Sequence, residues 1–216
     1  MRFQDAALDG RAVVYAGIQA DPLVVRLAGL LADASAGQLV LARAVMNGMR
    51  TDPVAWRTIA PSLFPDDRSE AILAASLEVA DRGEQVRSQF RGAVVEALAE
   101  LLLRRRGSGG AVRRERRILF DGVRAEIHPY DVTLERPGRA EAYDCKWGAR
   151  GINADVLYQL DDARTHAADE DEELRVGLVV FDTRLACDVR LETQTAPRDA
   201  TSLTTIETLS QLASMS

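Results

Sequence analysis

The sequence predicts an α/β (α+β) fold with a mixed central sheet preceded by a helical region, and three observations carry that prediction. Residues 83–106 place Phe90, Val94, Leu98, Leu101 and Leu102 on one helical stripe. Residues 126–147 alternate apolar and polar side chains on either side of Pro137-Gly138, the pattern of a β-hairpin. Leu174 to Phe181 is dominated by Leu, Val and Phe, as expected of a buried strand at the centre of a sheet.

The chain has 216 residues, 47% of them hydrophobic and 28% charged, which suits a globular protein able to bury a real core. No apolar run reaches membrane-spanning length, and the first residues lack a basic stretch followed by an apolar one. The expected location is therefore cytoplasmic, with no membrane partner. Cys145 and Cys187 form no metal-ligand spacing and are expected to be small buried residues rather than a disulfide. A net charge of −6 excludes a protein coated in positive charge, yet residues 82–124 carry eleven arginines against five acids, a local basic patch.

Taken in order, Ala12 to Tyr15 alternates and is compatible with a strand or an irregular lead-in. Asp21-Pro22 caps a helix with Leu23, Leu27, Leu30, Leu31 and Ala34 on one face, and Ser35-Ala36-Gly37 interrupts it. Helices follow over Gln38–Met49, from the Thr51-Asp52-Pro53 cap, and over Ser69–Asp81, with Pro61 to Asp67 read as a loop. Residues 1–82 thus form an N-terminal helical region without any cluster of His, Cys or closely spaced acids, expected to pack on the core or on a partner. Residues 83–192 form the core. Within it, Gly107 to Gly110 ends the long helix, Ala111–Phe120 is an arginine-rich strand, and Asp121-Gly122 is a turn. Arginines 113, 114, 116 and 117 suit either phosphate contact or a solvated sheet edge. Asn153 caps a helix over 154–167, the acidic run 169–173 is a connection, and 185–192 is an edge strand. Residues 193–216 are a Thr- and Ser-rich tail with a weak helical pattern at Ile206, Leu209 and Leu212.

The hairpin is where chemistry concentrates. Pro-Gly favours a type II turn, whereas two-residue hairpins prefer the primed types, which favours a four-residue loop in the same register. With Arg136 facing Arg139, that register sets Asp131 directly opposite Asp144. Tyr143, Cys145 and Trp147 then take the core face, while Asp144 and Lys146 share a charged face with Asp131 and Thr133. Two facing carboxylates need a compensating cation, which a bound metal would supply. Lys146 is the sole lysine among 27 basic residues. A compact ammonium, unlike the guanidinium fork, can orient a water or offset charge developing on phosphate.

Pro129-Tyr130-Asp131 followed by Asp144-Cys145-Lys146 resembles the PD-(D/E)xK motif of the restriction-endonuclease-like nucleases, over about residues 85–190. The proline stands two residues before Asp131 rather than beside it. The resemblance implies an αβββαβ core and Mg²⁺-dependent phosphodiester cleavage, with Mn²⁺ able to substitute. It implies side-chain oxygens of Asp131 and Asp144 and the backbone carbonyl of Cys145 as metal ligands, and Lys146 as the residue that positions or helps deprotonate the attacking water. Glu96, on the long helix beside the small residues Gly92 and Ala99, is similar to the acid that such nucleases carry near the metals, with Glu100 the fallback. Gln159 matches a glutamine found in some members, implying contact with a phosphate or base, although position 163 is alanine where those members have tyrosine.

Nucleic acid is the expected partner, DNA ahead of RNA. A partner protein or self-association is expected to supply target choice, since no separate nucleic-acid-reading module is visible. A bacterial defence or restriction role follows by family analogy, with DNA repair as the alternative. From a different class, a catalytically silent nuclease fold would serve as a nucleic-acid-binding or assembly module.

Overall fold

The computed structural model describes residues 1–6, 10–48, 52–63, 65–107, 109–121, 123–124, 128–197 and 201–214. Met49, Thr51, Phe64, Ser108, Gly122, Glu126 and Ile127, which figure in the expectations above, lie outside them. The chain divides into two compact units, Asp9–Leu101 and Met1–Leu8 with Leu102–Ser216. The division falls within the long helix rather than before it, and the first residues and the C-terminal tail both join the sheet.

The helical unit contains α1 (Gly10–Gln19), α2 (Pro22–Ala32), α3 (Ala36–Asn47), α4 (Pro53–Leu63), α5 (Asp67–Ala80) and most of α6 (Glu84–Arg105). The stretch at Ala12 that could have been extended is helical. Asp21 caps α2 through its side chain, with Pro22 at the first helical position. Ser35 is not simply an interruption: it forms a capping box with Gln38, each side chain serving the other's backbone, which starts α3 two residues early. Asp66 likewise caps α5, and such a cap contributes about 1 kcal/mol. α4 continues past Pro61, where a loop was expected, because its Ala60 and Trp56 pack into an apolar cluster with Leu41, Val45, Leu73 and Leu77. Packing outweighs the one backbone bond that proline lacks.

The other unit is built on one mixed sheet. Its strands are β1 (Arg2–Asp5), β2 (Ala111–Phe120), β3 (Val123–Arg124), β4 (Tyr130–Arg136), β5 (Arg139–Lys146), β6 (Glu173–Val180) and β7 (Ser202–Thr204), in the order β1-β2-β4-β5-β6-β7 with β3 also on β2. β2, β4 and β5 pair antiparallel, while β6 joins β5 and β7 joins β6 in parallel. The parallel step needs a crossover, which α7 (Ala154–Asp169) provides, capped by Asn153. From α6 onward the succession is helix, three main strands, helix, strand.

The β4–β5 register matches expectation, closing at Arg136↔Arg139. The connection is two residues rather than four. Gly138, at φ 68°, supplies the positive φ that the second central position of a type II turn requires. The expected edge strand at 185–192 is instead α8 (Arg184–Glu192), whose N-terminus is capped by Thr183. Period-two hydrophobicity misleads there: Cys187 is buried, but Leu185 and Val189 face solvent. The edge is β7, which lies so close to β6 that a Cβ on Gly177 would stand 2.3 Å from Ser202 Oγ.

One core cluster joins Ala140 and Ala142 of β5 to Val176 and Leu178 of β6 and to Leu157 and Leu160 of α7, and includes Cys187. Burial pushes the Cys187 thiol up to about 12. β1 pairs with β2 over residues 116–119, so Arg116 and Arg117 do not sit on a bare edge; Arg116 pairs with Asp5 and, at 2.7 Å, with Glu135. Among the described residues no helix is long and apolar enough to cross a membrane.

Candidate functional site

The candidate site lies in the sheet unit, where β4 begins and β5 ends. The β4–β5 ladder runs to Val132↔Tyr143. One place beyond, Asp131 turns its side chain to the partner strand, and its Oδ2 accepts the backbone N–H of Cys145 at 2.6 Å. A carboxylate takes the place of a backbone rung. This fixes Asp131 beside Asp144, as the register required.

Asp144 is nearly buried, on the same side of β5 as Ala140 and Ala142. The expected division into one core face and one open charged face therefore needs correction. Both faces are covered, because the face bearing Ala140 and Ala142 belongs to the cluster that α7 helps to build, and only its end carries charge. Lys146 brings one positive charge to the aspartates from within the chain. Its Nζ bonds Asp144 Oδ1. Burial alone would lower the lysine pKa, but the charges of Asp144 and then Asp131 more than reverse this and hold it above its ordinary value. The pairing keeps the ammonium charged.

Gly151 shapes this lysine. It ends a short 3₁₀ turn, Ala149–Gly151, and a Cβ there would stand 2.8 Å from Lys146 Cδ and 3.0 Å from its Cβ and Cγ. In a sequence, a glycine needed for close approach looks the same as one needed for a turn. The segment is pinned on both sides: Phe181 N–H donates to Lys146 O at 2.8 Å, Ala149 N–H donates to Asp182 Oδ2 at 3.0 Å, and Trp147 stacks on Phe181 at 5.0 Å.

Gln159 sits on α7 and is buried. Its Nε2 donates to His128 O at 2.9 Å, and its Oε1 accepts from His128 N–H at 3.1 Å. Both ends of the amide thus serve the backbone that leads into Asp131. Of Cys145, the N–H and the buried side chain define its place; the thiol faces inward as expected. Glu96 belongs to the helical unit. It is 4% exposed and accepts from the Tyr15 hydroxyl and, at 2.7 Å, from Gln19 Nε2. Gly92 gives Tyr15 room: a Cβ there would stand 3.0 Å from its hydroxyl. Neither α1 partner was visible as such, because contacts 77 and 81 residues apart leave no local pattern. Glu100 lies one turn further along α6. Among the described residues no group of three or more His, Cys, Asp and Glu side chains is placed to hold a metal. The set in the sheet unit is two carboxylates and a lysine.

No protein-family model matches the chain, and no curated protein matches it. Among solved structures it is similar to protein VC1899 from Vibrio cholerae, with a TM-score of 0.53 and 18% identity over 99% of this chain. The chain spans 57% of the length of that protein, and the likeness concerns the fold alone.

Proposed function

We propose that the protein is a metal-dependent nuclease that hydrolyses phosphodiester bonds, with DNA favoured over RNA. The observation that carries this reading is Lys146, the one lysine of the chain, held by Asp144 and within the field of Asp131 at the end of the hairpin. Two aspartates are a hard-oxygen donor set of the kind Mg²⁺ uses when one or two carboxylates are completed by water and substrate phosphate. Asp131 and Asp144 would hold the ion, Mn²⁺ substituting, with the Cys145 carbonyl as the further ligand that the family resemblance suggests. When bound, the ion supplies Lewis acidity toward the scissile phosphate and toward water.

The chain's own residues do the rest. The Asp131 bond to Cys145 N–H fixes one carboxylate, and the buried strand position fixes the other. Lys146 is long enough to exchange its contact with Asp144 for a water or a phosphate oxygen, and there it orients the nucleophile and offsets developing negative charge. Glu96 is held by Tyr15 and Gln19 within the helical unit, and no part in the site of the sheet unit is assigned to it. A partner protein or a second copy would supply target choice, and a defence or restriction setting is the proposed context, with repair as the alternative.

A second reading, a catalytically silent module of the same fold, draws on one feature. Lys146 already neutralises Asp144, so the pair can serve stability alone. Cleavage of linear, circular and single-stranded DNA and RNA with Mg²⁺, Mn²⁺ or EDTA separates the two. Metal-dependent cutting that is lost in Asp144→Ala supports the nuclease; absence of both cutting and Mn²⁺ binding in the wild type supports the silent module.

A further inference from the structure

We infer that Gln159 is a positioning residue that sets the direction of Asp131 by clamping the backbone of His128. The ladders of β4 to β2 and to β5 have their last pairs at Arg116↔Tyr130 and Val132↔Tyr143, so His128 lies beyond both. There the Gln159 side chain does what a neighbouring strand does elsewhere, donating to His128 O at 2.9 Å and accepting from His128 N–H at 3.1 Å. A third bond runs the other way, from the Tyr130 hydroxyl to Gln159 O at 3.3 Å. Between the two anchored residues stands Pro129, whose ring fixes its own φ and restricts the residue before it. Little freedom is left in the three residues that precede Asp131.

The consequence is read at the far end of the aspartate. Asp131 Oδ2 meets Cys145 N–H at 2.6 Å one place past the final rung, so its aim depends on where residues 128–130 hold the start of β4. A buried amide satisfied at both ends by one residue's backbone gives geometric definition that packing alone does not. The effect on Asp131 stands by itself; its consequence for metal binding rests on the nuclease reading proposed above.

The test compares wild type with Gln159→Met, which keeps length and helix preference but removes both bonds, and with Gln159→Glu, which keeps the acceptor for His128 N–H and sets a charge against His128 O. Amide hydrogen exchange followed by NMR reads the Cys145 N–H against the Phe181 N–H, which bonds Lys146 O on the adjoining strand. Loss of the clamp is expected to lower protection of Cys145 by about tenfold more than that of Phe181, the size of one hydrogen bond. Equal loss at both amides means that Gln159 acts only through overall stability, and overturns the inference. If the methionine variant does not fold, the same comparison is made on the glutamate variant. Calorimetric titration with Mn²⁺ adds the second arm. Weaker binding in the variants than in wild type extends the clamp to the metal, and equal binding overturns that extension. A wild type that binds no Mn²⁺ sinks the metal reading, while the exchange result still decides the clamp.

Discussion

Strand β5 carries two ion pairs on opposite faces, and they are built differently. Glu141 receives Arg106 through two bonds, at 3.0 and 2.8 Å, and the Tyr143 hydroxyl at 2.7 Å; the two charged side chains are 4–5% exposed. Asp144 receives one contact from Lys146, whose side chain is 26% exposed. The first pair is a planar fork matched to a carboxylate and closed by a third donor. The second is a point charge on a flexible stem. The arginine pair is built to stay shut, whereas the lysine pair has the freedom to open that the proposed chemistry would need.

The comparison is most exposed to failure at Glu141. Glu141→Ala leaves Arg106 buried without its carboxylate and is expected to cost about 3–5 kcal/mol in urea unfolding, whereas Arg106→Met with Glu141→Leu should cost much less. A single-variant cost well under that range would put the two pairs in the same class. Lys146→Met should show the reverse profile, with a smaller loss of stability than Glu141→Ala and turnover lowered about 10²–10³-fold. Unchanged turnover would remove Lys146 from the chemistry. Gly151→Ala sharpens the contrast without touching either charge. The added methyl must displace the Lys146 stem, so turnover should fall about tenfold or more with a loss of only about 1–2 kcal/mol.

The smallest expected effects lie at the two ends of the pH scale. Burial pushes the Glu141 carboxyl up, but the bonds from Arg106 and Tyr143 more than reverse this and leave it below 4.5. Its contribution is therefore full above pH 4.5 and lost as pH falls through the folded value, and Glu141→Gln should flatten the acid limb of the stability curve. The Lys146 pKa is raised above 10.5, so its contribution is full below pH 10.5 and lost as pH rises through the folded value; Lys146→Met should flatten the alkaline limb. Two limbs that each respond to the other variant instead would dissolve the distinction.

What sequence could reveal follows from how local each determinant is. The hairpin register was legible because alternation and a Pro-Gly turn act over a few residues, and the ladder from Val132↔Tyr143 to Arg136↔Arg139 follows it. That Asp131 replaces a backbone rung was not legible, since the bond depends on where the ladder stops. Ser35 and Gln38 carry a capping-box signal in the sequence, but Gly37 between them reads equally as a helix break. At 185–192 alternation favoured a strand, but Thr183 at the N-cap and solvent around Leu185 and Val189 favoured a helix. That the Lys146 ammonium rests on Asp144 was not legible either, because sequence spacing gives the face of a side chain but not where its flexible end rests.

Cys145 and Cys187 form no disulfide, and both are buried in the sheet unit. Cys187 is fully buried and its thiol is pushed up by that burial, so alkylation waits on opening of the structure around it. Its labelling by a thiol reagent thus becomes a clock for opening of the cluster around α7, a reporter supplied by the native chain without any introduced probe. Ligands that tighten the end of β5 should slow that clock, whether or not they are substrates.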